Sequence, residues 1–191
     1  MFNTVSKKII LINKYLTKDK MLEIEAQANL FLTKINFFEL NTLDIEKIKE
    51  IFNFTIEYGD LTNDKALGKL EILESKKTIT INSSLINNKP RLKFTMAHEI
   101  GHIVLEHYKE DKTELFRGTE NFYESEQDGI QEESANFFAS CILMPQDNFI
   151  NFWNNQVNND FNTRVVLSQS HFRVSRQAVL LRFYFLKQLS S

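Results

Sequence analysis

The stretch FTMAHEIGHIVLEH, residues 94–107, sets His98 and His102 four residues apart with Glu99 directly after the first. An α-helix turns by about 100° per residue, so side chains four apart leave the same face. The two imidazoles can then bind one ion, while Glu99, rotated by one step, sits beside it. In this arrangement the carboxylate takes a proton from metal-bound water, whose pKa zinc lowers to about 7. Two ligands are too few, because a catalytic zinc ion usually has three from the protein and one open position. The fold must therefore bring a third donor against a helix spanning about Arg91 to His107. Gly101 fits such an approach: inside a helix it costs about 1 kcal/mol relative to alanine.

His107 is five residues beyond His102, or about 140° around the helix, and points elsewhere. It reads as a helix-end residue interacting with the last carbonyls. A longer metzincin motif would place glycine and histidine where Leu105 and Tyr108 stand. The segment QEESANFFASCILMP offers Glu132 and Glu133 instead. Glu132 lies four before Asn136, so Glu132 could hold an ion while Asn136 orients a ligand. Ala135 and Ala139 are small enough to let two helices pack closely. Both glutamates also suit a solvated first turn, favoured by the helix dipole, so spacing alone leaves the choice open.

The rest of the chain is that of an ordinary globular protein. Seventeen phenylalanines among 191 residues supply an ample core, and the net charge of -2 exerts no general pull on nucleic acid or anionic membrane. The single cysteine, Cys141, allows no internal disulfide and fits a reducing compartment. The apolar run Ile9–Ile12 is too short for a signal peptide, and no stretch is long enough to span a bilayer. The expected location is the cytoplasm.

Periodicity predicts helices over residues 3–35, broken near TKDK. Asp19 caps the second of them, with Leu22, Ala26 and Leu30 as its apolar stripe. NTLDIEKIKEIF predicts a further helix, capped by Asn41 or Thr42 and buried through Ile45, Ile48 and Phe52. NFTIEY, GKLEIL and KKTITIN alternate as strands of a small antiparallel sheet with a tight hairpin. Residues 109–129 are acidic and aperiodic, which predicts a loop. Helices follow from about Ile130 to Met144 and, capped by Asp147, over QDNFINFWNN. An asparagine-rich linker leads to a helix pair between Thr163 and Leu189 that turns at RVS.

Together, RLKFTMAHEIGHIVLEH and EESANFFASCILMP resemble the ImmA/IrrE family of bacterial metallo-endopeptidases. GKLEILESKKTITIN and FRVSRQAVLLRF are similar to flanking segments of that family. The resemblance implies an α+β fold. A zincin-like metallopeptidase domain occupies residues 1–153, with N-terminal helices over 1–35, and a helix-turn-helix-like appendage occupies 160–191. It implies His98, His102 and Glu132 as metal ligands, Glu99 as general base, and one zinc ion. The donor set by itself leaves manganese and iron open. It also implies a protein substrate, a helix-turn-helix repressor controlling a mobile element or stress response. A long sensor domain after the appendage is not expected.

The alternative is a DNA-binding or sensory regulator with a non-catalytic metal site. The C-terminal pair carries Arg173, Arg176, Arg182 and Lys187, and Ser175 can cap its second helix. Four charges on a chain of negative net charge argue against direct DNA binding. His171 could reach a cleft if the pair folds over it, and a surface role is the simpler expectation. A third possibility is hydrolysis of a small substrate, since the motif specifies water activation and not what is cleaved.

Overall fold

The computed structural model describes residues 15–40, 43–61, 66–108, 114–118 and 125–189. The first helix expected within residues 3–35, and the caps expected at Asn41 and Thr42, lie outside them. Helix α1 runs over Lys18–Lys34 and is capped by Thr17, whose side chain accepts from the Lys20 N–H; Asp19 sits in its first turn. Its inner face is Met21, Ile24, Ala28 and Phe31. The expected Leu22–Ala26–Leu30 stripe faces solvent, with Leu22 41 % and Leu30 71 % exposed. Burying the larger Met21 and Phe31 rotates the helix by about one residue from that stripe.

A short turn of helix, α2 (Phe37–Leu40), precedes α3 (Ile45–Phe52). Asp44 caps α3 through the Lys47 N–H, and Asn53 closes it in the left-handed conformation. Ile48 is fully buried, as the apolar stripe predicts.

The strands are β1 (Phe54–Gly59), β2 (Ala66–Leu73), β3 (Lys76–Asn82) and β4 (Glu114–Gly118), in the order β1-β3-β2-β4. The expected hairpin joins β2 and β3 through Glu74 and Ser75, both with positive φ, as a two-residue loop with matching twist requires. The sheet is mixed and not purely antiparallel. β1 pairs in parallel with β3, from Phe54 opposite Lys77 to Gly59 opposite Asn82, so β3 lies between β1 and β2. β4 also corrects the loop expected over residues 109–129. It pairs antiparallel with β2, with a register shift between Ala66 and Gly68. Five residues are too few for alternation to stand out in an acidic segment.

Helix α4 (Lys89–Val104) is capped by Asn88 and packs on β2, β3 and α5 (Glu126–Leu143). Ser125 caps α5, accepting from the Asp128 N–H, so this helix begins four residues before the expected Ile130. Helix α6 (Gln146–Asn154) begins after Pro145 with no side-chain cap, which moves Asp147 into its first turn. Helices α7 (Phe161–Phe172) and α8 (Arg176–Leu189) meet at Arg173–Ser175, where the sequence predicts the turn. Ser175 accepts from the Ala178 N–H, as expected.

One hydrophobic cluster includes Phe31 of α1, Ile79 of β3, Ile100 of α4, Phe138 of α5 and Val179 of α8. Within it lies Arg182, fully buried, which removes this residue from the candidate basic surface. Its guanidinium forms a two-pronged pair with Glu25 of α1 and donates to the Met144 carbonyl at 2.8 Å. The Cys141 thiol donates to the same glutamate at 3.0 Å. A guanidinium can be buried here because its charge is paired and its donors are used.

Candidate metal centre and active site

Helix α4 buries His98, Glu99 and His102, and α5 crosses it nearby. Gly101 sets that closeness. A Cβ at residue 101 would lie 3.3 Å from both Cα and the carbonyl oxygen of Ala135, and 3.2 Å from the Phe138 ring. The approach suggested by a mid-helix glycine is thus the backbone of α5.

Across this contact Glu132 reaches both imidazoles. Its Oε2 is 3.4 Å from His98 Nε2 and its Oε1 is 3.4 Å from His102 Nε2. The two Nε2 atoms are 3.1 Å apart. Each imidazole thus faces its own carboxylate oxygen, at a distance like the roughly 3.3–3.4 Å that separates ligands held about 2.0–2.1 Å from a tetrahedral ion. Two imidazole nitrogens with a carboxylate oxygen are also a donor set that divalent transition metals favour. Among the described residues, this trio is the group of His, Cys, Asp and Glu side chains that could share an ion.

The outward nitrogens are also engaged. His98 Nδ1 is 3.0 Å from Asn136 Oδ1, one turn after Glu132. His102 Nδ1 is 3.2 Å from His107 Nδ1. A helix continued through residue 107 would turn His107 away from this face. In the structure α4 ends at Val104, and Glu106 takes a left-handed φ of 54°. The chain curls back, the His107 N–H donates to the His102 carbonyl at 3.0 Å, and its ring folds onto His102. No glycine marks that bend, so the sequence carries no signal for it.

The neighbouring glutamates part company. Glu133 accepts from the N–H groups of Tyr15 and Leu16 at 2.8 and 3.2 Å, away from the imidazoles. Glu99 is fully buried beside the trio, against Gly68 of β2. His171 is exposed and stacks on Phe152, ring centroids 4.0 Å apart.

A comparison with curated proteins found no match. The family model for peptidase M78, described as the IrrE N-terminal-like domain, matches residues 49–184 and so takes in α4, α5 and most of the C-terminal helix pair. The chain therefore belongs to the M78 peptidase family, defined by its IrrE N-terminal-like domain.

Proposed function

We propose that this protein is a zinc-dependent endopeptidase. His98, His102 and Glu132 would hold the ion, and Glu99 acts as general base. The observation that carries this is the convergence of three ligand atoms from α4 and α5, mutually within 4.8 Å, next to a buried glutamate. A divalent ion there supplies Lewis acidity, acidifying a water and polarising a scissile carbonyl. The Glu99 carboxylate takes the proton of the attacking water and passes it to the leaving amine nitrogen. Its burial keeps the exchange out of bulk solvent. Asn136 steadies the His98 ring through Nδ1.

The family supports a protein substrate. We propose a helix-turn-helix repressor controlling a mobile element or stress response, met in the cytoplasm. The lone cysteine, a buried free thiol, suits that compartment. No helix among the described residues is long and apolar enough to cross a membrane. Within this reading residues 1–153 carry the chemistry and 160–191 are a helical unit packed onto them. Burial of Arg182, and the Arg176 bond to Asn162, leave fewer cations for a nucleic-acid surface, which favours a protein over DNA as the partner.

The test pairs two variants. Glu99→Gln should retain zinc and lose about 10²- to 10⁴-fold in cleavage of a candidate repressor. His98→Ala should lose zinc and activity together. Zinc content by elemental analysis and cleavage with and without chelator are the readouts. Normal cleavage by Glu99→Gln would reject the mechanism.

A further inference from the structure

We infer that His107 is a positioning residue for the His102 ring: its Nδ1 accepts the Nδ1–H of His102, which presents His102 Nε2 to the ion. The inference rests on the metal-centre reading above and adds a third histidine to it.

A neutral imidazole that binds a metal through Nε2 carries its proton on Nδ1, and that N–H needs an acceptor. For His98 the acceptor is the Asn136 amide oxygen. For His102, Nδ1 stands 3.2 Å from His107 Nδ1. His102 is fully buried, so bulk water is a poor substitute. The polarity follows from the chemistry: His102 donates, and His107 accepts with its own proton on Nε2. An imidazole nitrogen is a better base than an amide oxygen. It therefore raises the electron density of the ring it supports more than Asn136 does for His98.

His107 is poorly placed to be a ligand itself. It touches the outward nitrogen of His102, while the trio converges through the inward ones. The backbone holds this placement. The left-handed Glu106 reverses the chain, the His107 N–H is tied to the His102 carbonyl, and the next residue, Tyr108, lies under the Lys77 ammonium of β3 at 4.9 Å. The rings meet edge to face, centroids 5.1 Å apart and planes at 68°.

The experiment compares the parent chain, His107→Phe and His107→Gln. Zinc affinity is measured by competition with a chromophoric chelator, the metal-free proteins are melted, and ¹⁵N shifts of the histidines are recorded on the zinc-loaded parent. His107→Phe should weaken zinc by about 10- to 100-fold. His107→Gln, whose amide oxygen can accept, should recover most of the loss, and the metal-free melting temperatures should agree. The shifts should show a protonated Nδ1 on His102 and a bare Nδ1 on His107. Zinc binding by His107→Phe as tight as the parent's, or a proton on His107 Nδ1, overturns the role of His107 alone. A parent that binds no zinc overturns the metal centre and this role with it.

Discussion

Gly68 of β2 lies directly against the carboxylate of Glu99: a Cβ at residue 68 would stand 2.5 Å from Oε1 and 3.0 Å from Cδ. Its φ is not positive, so the need is for space and not for an unusual backbone. The register shift at Ala66–Gly68 falls at the same place, a common association of strand glycines with irregular pairing. Gly68→Ala should displace Glu99 and lower proteolysis by about tenfold or more, within the range that general bases contribute. Its zinc content should stay near that of the parent. Elemental analysis and cleavage rate on one preparation check this, and an unchanged rate would place the general base elsewhere.

Glu132 and Glu133 should fail differently. Glu132→Ala removes a proposed ligand and should weaken zinc by more than about 100-fold, beyond the usual effect of an outer partner. Its metal-free stability should change little. Glu133→Ala orphans the Tyr15 and Leu16 N–H groups and should cost about 1–3 kcal/mol while sparing the zinc ligands. Denaturant melts and zinc titrations of the two variants separate the roles.

The Glu25–Arg182 pair should show strong coupling. Removing either partner leaves a buried charge unmatched, so Arg182→Met or Glu25→Met should each destabilise the fold by about 3–5 kcal/mol. The double variant should be far less harmed than the sum of the two, because apolar side chains of similar size replace a desolvated pair. A double-mutant cycle by chemical denaturation measures the difference; additive losses would show that the two charges act separately.

Cys141 should be inert in the folded protein. Burial pushes its thiol well above the usual range; the Arg182 charge opposes this and the Glu25 carboxylate reinforces it. The folded state thus holds the proton more tightly than the unfolded chain. This stabilising contribution is fully present below the unfolded thiol's pKa of about 8.5, and it is lost as pH rises beyond that. An aromatic disulfide should titrate no thiol at pH 8 until denaturant is added. Cys141→Ala should flatten part of the stability loss at alkaline pH.

Legibility followed the length of the physical signal. The imidazole spacing, the α7–α8 turn and the Ser175 cap rest on local rules, and each appears where the sequence suggests it. Choosing Glu132 over Glu133 required the family resemblance, since both fit a first turn equally well. What the sequence hid depends on contacts far along the chain. Phe31 and Met21 outweigh the Leu22–Leu30 stripe only because of what packs on them. β1 joins β3 in parallel through pairing that alternation cannot encode. Arg182 reads as a surface cation until Glu25, 157 positions away, is seen beside it. The fold of the His107 ring onto His102 depends on the helix stopping three residues before it, which no local signal marks.

The contact between Gly101 and Ala135 works like a jig. It fixes the separation of two helices by backbone contact, and with it the span between the imidazoles of α4 and the Glu132 carboxylate of α5. A bulkier residue at position 101 would widen that span without touching any of the three side chains.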